Sequence, residues 1–268
     1  MVLKFYMLEL IIVHLLFTIH RCYIMMTIKK HVPNAITLLN LFCGCIAVVF
    51  ALSKEYEMAF YFVSLGIFLD FFDGFFARWF QVSSPLGLQL DSLADMVTSG
   101  VVPGIVMYQL MGSSSSFPQW GWAVEPWPFL GFLITLGSCY RLANFNIDTR
   151  QTDSFIGLPT PANALFILSL PLVLLYSDSM LVLELLTNPW ILVVITILSV
   201  YLLNAEIPLF SLKIKTFSLQ KNALQIGFLV ASLLLLVFFQ YAGIPLVIVF
   251  YVLLSVANNA LSKMNKLA

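Results

Sequence analysis

Asp70-Phe-Phe-Asp73-Gly74-Phe-Phe-Ala77-Arg78 is followed, after eight residues, by Gly87, and then by Asp91 and Asp95. The rest of the chain is arranged around this stretch. Four carboxylates fall within 26 residues of a sequence otherwise suited to lipid. A carboxylate deep in a membrane helix costs roughly 2.5–3.5 kcal/mol on insertion scales, so such a group marks function rather than packing. Four together call for a shared partner of opposite charge, and a pair of divalent metal ions fits that need.

The 268 residues are 61% apolar and 10% charged, and the mean hydropathy is strongly positive. A soluble domain carries about 25% charged residues. The composition therefore excludes an ordinary soluble domain and predicts an all-α, polytopic membrane helix bundle. No nucleic-acid partner is expected. The four cysteines form no CxxC pair and read as small apolar packing residues.

Eight spans are expected, near 35–52, 58–80, 87–111, 129–147, 162–176, 189–204, 222–240 and 244–261. Pro33 can open the first helix. Ser83, Ser84 and Pro85 break the chain between spans two and three. Trp120, Trp122 and Trp127 suit an interfacial aromatic belt. Asp178 and Glu184 fall in the connection before span six. Residues 1–25 read as an N-terminal extension, with Met25 or Met26 as the expected true start. Residues 26–204 are the expected catalytic core, and 205–268 a C-terminal pair of helices with a short tail. With eight spans, Lys29, Lys30, Arg78, Arg141, Arg150 and the lysines from 213 onward share one side, against Lys54 on the other. By the positive-inside rule both termini and the aspartates face the cytoplasm, in the cell (inner) membrane.

Asp70 and Asp73 are i,i+3 on one helix, and Asp91 and Asp95 are i,i+4 on the next, so each pair shares a face. The break between the helices lets them run antiparallel and brings both pairs to a similar depth. Oxygen-only ligands suit hard cations, Mg²⁺ or Mn²⁺. Two such ions can clamp a diphosphate during a phosphoryl displacement. Gly74 and Ala77 leave room for a bulky ligand beside the backbone. Arg78 offers a fork of donors to phosphate oxygens. Thr37 and Asn40, i,i+3 on span one, share a face and can bond between helices. A proton or cation pathway is the alternative reading of the cluster.

The same positions resemble the signature of the CDP-alcohol phosphatidyltransferase family, D-x2-D-G-x2-A-R-x8-G-x3-D-x3-D. All eight fixed letters match, and chance gives such a match on the order of 10⁻¹⁰ per start position. The resemblance implies a membrane enzyme with a six-helix core, here followed by two further spans. It implies transfer of a phosphatidyl group from a CDP-linked lipid to an alcohol, with release of CMP. By the family pattern Asp70, Asp73 and Asp91 bind the metals, and Asp95 helps hold a metal and acts as base on the acceptor hydroxyl. The resemblance has Asp70, Gly74, Ala77, Arg78 and Gly87 shape the CDP site, where Thr37 and Asn40 could read the cytidine.

Three further stretches resemble members of that family that use serine. They are Pro33-Asn34-x2-Thr37-x2-Asn40 with Phe42-Cys-Gly44, Arg141-Leu-Ala-Asn144-Phe-Asn146, and Phe155-Ile-Gly157-Leu-Pro159-Thr160-Pro161-Ala162. The expected substrates are CDP-diacylglycerol and L-serine. Arg141, Asn144, Arg150, Thr160 and Lys213 are the acceptor-site candidates. Asn144 stands where many relatives carry a basic residue. A homodimer is a family-level expectation. Glycerol 3-phosphate or an inositol phosphate as acceptor is the nearest alternative, and a cation-coupled transporter is the alternative of another class.

Overall fold

The structure, a computed structural model, describes residues 31–82, 84–114, 121, 125–148, 155–210 and 222–267. The N-terminal extension 1–25, the candidate starts Met25 and Met26, Arg150 and Lys213 lie outside the described residues.

The first three helices are α1 (His31–Leu52), α2 (Tyr56–Phe80) and α3 (Pro85–Gly112). A 3₁₀ turn, Trp127–Phe132, leads into α4 (Leu133–Ile147). Then follow α5 (Thr160–Tyr176), α6 (Met180–Thr187) and α7 (Pro189–Asn204). The chain ends in α8 (Ala223–Phe239) and α9 (Gly243–Leu267). Each of the eight stretches expected as spans contains one of these helices.

The molecule is an all-α polytopic membrane bundle. By length and composition α1, α2, α3 and the apolar run Ala223–Leu261 suffice to cross a membrane. That run breaks at Gln240, where φ is 48°, and α8 and α9 pack on each other. α6 corrects one expectation, because part of the connection holding Glu184 is helical. It meets α7 at 72°, since Pro189 disfavours helical geometry at Asn188 and opens a new helix.

In lipid, large apolar side chains gain little by being buried, so helices associate through small and polar residues. α1 follows this rule: Thr37, Asn40, Ala47 and Ala51 are buried, whereas Leu38, Phe42 and Val49 are exposed. Gly44 joins the buried residues in a 3–4 spacing that keeps one face toward the bundle. On α2 the buried residues are Ala59, Val63, Gly66 and Asp73. Asp70 and Ala77 continue that same spacing. The aspartates thus occupy the packing face of α2 rather than its lipid face.

The α2–α3 turn is built from caps. Gln81 takes a left-handed conformation, and the Gln81 and Val82 N–H groups donate to Arg78 O at 3.2 Å and Ala77 O at 3.0 Å. These bonds satisfy carbonyls that the helix end would otherwise leave unpaired. Ser84 then caps α3 by accepting from the Gly87 N–H at 3.0 Å, with Pro85 at the first helical position.

α3 contains a π-helical segment, Met96–Val101, directly after Asp95. Pro103 follows closely, and it can donate no N–H to the carbonyl four residues earlier. A widened turn accommodates that missing bond. Within the widened turn the Gly100 carbonyl accepts from Thr135 Oγ1 of α4 at 2.9 Å. A short antiparallel strand pair, β1 (Phe155–Ile156) and β2 (Pro208–Leu209), ties the segments before α5 and after α7 together.

Candidate active site

Carboxylate oxygens of Asp70 and Asp73 on α2 and of Asp91 on α3 lie within 4.8 Å of one another. Asp70 Oδ1 is buried without a hydrogen-bond partner. Carboxylates this close repel unless a cation sits among them. The all-oxygen donor set and the orphaned buried oxygen fit a hard divalent cation.

Beside the cluster is a cleft of about 210 Å³. α2 supplies Asp73, Gly74 and Ala77 to its wall, and α3 supplies Gly87 and Asp91. Pro33, Asn34 and Thr37 of α1, Val82 and Ser84 of the turn, and Leu88 of α3 complete it. A Cβ at Gly87 would come within 3.1 Å of Asn34 Oδ1 and 3.2 Å of Ser84 Oγ. Glycine there keeps those two polar groups beside bare backbone. The exposed Arg78 folds back, its Nη1 lying 3.5 Å from where a Cβ on Gly74 would sit.

Asp95 is not part of that triad. Its Oδ1 accepts from Asn40 Nδ2 at 3.3 Å. Asn40 Oδ1 in turn accepts from Thr98 Oγ1 at 2.9 Å. Asn40 is 0% exposed and does not line the cleft. Its amide is committed to Asp95 and Thr98, behind the cleft. Thr37, by contrast, lines the cleft and donates to Asp73 Oδ2. The helices reach this network only because two side chains are absent. A Cβ on Gly66 would lie 2.7 Å from Asn40 Oδ1, and one on Gly44 would lie 2.6 Å from Thr98 Oγ1.

The acceptor candidates do not converge among the described residues. Arg141 is buried and donates to Ile156 O at 3.0 Å, Leu203 O at 3.3 Å and Gly157 O at 3.4 Å. Its guanidinium clamps the backbone that leads into α5. Thr160 is buried at the start of α5, and Asn144 is exposed. Neither lines the aspartate cleft.

Several contributors were not singled out from sequence. Asn34 stands in a quoted motif, and Ser84 shows the N-cap-before-proline pattern, so both left a signal. Thr98 and the π-helical turn left none. Asn146 Nδ2 donates to Ser92 Oγ at 2.8 Å, fastening α4 to α3 next to Asp91.

A helical membrane bundle with an acidic cluster and a side-chain-poor cleft at the junction of two helices defines a class that the comparisons identify. The CDP-alcohol phosphatidyltransferase family model matches residues 30–201, and the chain belongs to this family. It is similar to the CDP-diacylglycerol–serine O-phosphatidyltransferase of Bacillus subtilis, 37% identical over 136 residues, covering 49% of this chain and 70% of that protein. The protein of the same name from Helicobacter pylori (strain J99) is 36% identical over 137 residues, covering 50% of this chain and 54% of that protein. The one from Saccharomyces cerevisiae is 32% identical over 156 residues, covering 52% of this chain and 53% of that protein. The matches thus span about half the length of the latter two relatives.

Proposed function

We propose that the protein transfers the phosphatidyl group of CDP-diacylglycerol to the hydroxyl of L-serine and releases CMP. The observation that carries this reading is the Asp70–Asp73–Asp91 cluster beside a cleft walled by Gly74, Ala77 and Gly87. Such a wall admits a nucleotide diphosphate against bare backbone while the carboxylates face its phosphates. The relatives' names supply the donor and the acceptor.

Asp70, Asp73, Asp91 and Asp95 would hold Mg²⁺ or Mn²⁺, as a two-ion site. When bound, the metal supplies Lewis-acid stabilisation of charge on the diphosphate. Arg78 neutralises phosphate oxygens at the open end of the cleft. Asn34, Thr37, Gly74, Ala77 and Gly87 seat the cytidine and its phosphates. Asp95 takes the proton of the seryl hydroxyl as that oxygen bonds to the β-phosphorus. The phosphoanhydride bond breaks at the same phosphorus, and CMP leaves with the bonding electron pair. Asn40 orients Asp95 and does not touch cytidine. Arg141 fixes the approach to Thr160, leaving Arg150 and Lys213 as cations for the serine carboxylate. Asn144 is kept as a polar contact at the acceptor end. Residues 26–204 form the catalytic unit and 205–268 an added pair of helices. Both termini and the site face the cytoplasm, and two copies form a dimer.

The test is CMP release from CDP-diacylglycerol by purified protein with Mn²⁺ or Mg²⁺, with and without L-serine. Serine-dependent CMP supports the proposal. CMP released only with glycerol 3-phosphate or an inositol phosphate overturns the acceptor assignment, and no CMP with any alcohol overturns the reaction. Asp95→Asn should keep CDP-diacylglycerol binding and abolish turnover. Full activity in that variant removes Asp95 as the base.

A further inference from the structure

A second cavity, of about 240 Å³, lies between α5, α7 and α9 and shares no lining residue with the aspartate cleft. Its walls include Phe166 of α5, Ile195 and Leu198 of α7, and Val249, Val252 and Leu253 of α9. No charged side chain lines it. Leu198, Val249 and Leu253 are also exposed on the outside of the bundle. The cavity is therefore reached from the hydrocarbon of the bilayer rather than from water.

Two polar residues, Ser199 and Asn163, stand in an otherwise apolar lining, and Asn163 is 1% exposed. Both its Nδ2 and its Oδ1 are buried without a hydrogen-bond partner. Its backbone N–H donates to Pro159 O at 3.1 Å, and its unpartnered side chain makes no helix cap. A buried amide with neither donor nor acceptor satisfied is unfavourable, and a leucine of similar size would avoid that cost. The helix itself makes no use of the amide, so its partner is to be sought in a ligand.

We infer that this cavity binds the chain of a neutral, hydroxyl-bearing glycerolipid, a monoacylglycerol, with its glycerol end on Asn163. A hydroxyl beside an ester offers a donor for Oδ1 and an acceptor for Nδ2. The lack of charge in the lining rejects a phosphate or ammonium group from the cavity itself. At roughly 30 Å³ for a water-sized group, the space holds about eight such groups, enough for one chain segment with its polar end and too little for two chains. α9, which forms one wall, lies beyond the family-matched residues 30–201. The site thus depends on α9 and stands apart from the aspartate cleft.

The full chain in nanodiscs would be photolabelled with a diazirine-bearing monoacylglycerol, and the labelled peptides identified by mass spectrometry. Labelling should concentrate on peptides containing residues 158–166, 195–202 and 248–253. Excess monoacylglycerol should compete, and phosphatidic acid with the same chain should not. Val252→Trp, which fills the cavity, should abolish the labelling. Asn163→Leu should reduce it at least tenfold without lowering the melting temperature. Equal competition by phosphatidic acid, labelling spread over all lipid-facing helices, or labelling unchanged in either variant would overturn the inference.

Discussion

Asn40→Ala should slow turnover without weakening nucleotide binding. Asn40 Nδ2 donates to Asp95 Oδ1 at 3.3 Å, longer than the usual N–H···O distance near 2.9–3.0 Å. A bond to a charged group contributes about 1.5–3 kcal/mol, and the length argues for the lower end. At 1.36 kcal/mol per decade, that is roughly a tenfold loss of kcat. Thr98 is not left unsatisfied by the change, because its hydroxyl can turn to donate to Ala94 O, 3.1 Å away. The loss therefore falls on Asp95. The assay is steady-state CMP release at saturating serine, with CDP-diacylglycerol varied and the melting temperature recorded in parallel. A kcat within twofold of the parent refutes the orienting role. A tenfold rise in KM for CDP-diacylglycerol at unchanged kcat refutes it differently, because it would make Asn40 a cytidine contact after all. Thr98→Val should act in the same direction and more weakly. Its effect should not add to that of Asn40→Ala, since both act through one network.

Asp91→Asn removes one of three carboxylates lying within 4.8 Å and should raise the Mn²⁺ concentration for half-maximal activity about tenfold or more; an unchanged metal titration contradicts the cluster's role. Arg141→Lys replaces a planar fork on three carbonyls with a point charge, so melting temperature and kcat should fall together, whereas a rise in serine KM alone would identify a serine ligand. Gly157 has φ +74°, and a Cβ there would lie 2.7 Å from Leu203 O; Gly157→Ala should destabilise by at least about 1–3 kcal/mol, and an unaltered thermal melt in detergent would show that the 155–158 segment gives way freely.

The features legible in the sequence were those set by spacing along one helix. Asp70 with Asp73, and Asp91 with Asp95, share faces by the helical repeat, and the Ser84–Pro85 break turns one helix back on the other. Spacing cannot say how deeply each carboxylate sits or who its neighbour is. Asn40 reaches Asp95 across 55 positions of sequence, through packing that Gly44 and Gly66 permit, so its partner was not readable from span one. Arg141 was open to the same ambiguity. A cation near the end of a membrane helix reads as an orientation signal or a ligand, and its three carbonyl partners lie beyond its own helix, 15, 16 and 62 positions on. The eight-residue α6 was missed because so short a segment beside Asp178 and Asn188 has too few turns to show a period.

The π-helical turn explains why Asp95 behaves differently from its three neighbours in the sequence pattern. A straight helix would carry the residues after Asp95 on in a regular register. Instead α3 widens over Met96–Val101, and within that turn Thr98 reaches the Asn40 side chain. Such insertions are frequent at functional sites because they re-aim a side chain without ending the helix. The packing on both sides holds it in place: Gly44 and Gly66 bring α1 and α2 close to Thr98, and Thr135 of α4 takes the carbonyl of Gly100. Asp70, Asp73 and Asp91 lie with carboxylate oxygens within 4.8 Å of one another, while Asp95 is held from behind by the neutral amide of Asn40. Four carboxylates in one motif thus occupy two chemically distinct settings. In the proposed reaction the setting of Asp95 suits it to the proton-accepting role it adds to its share in the cation site.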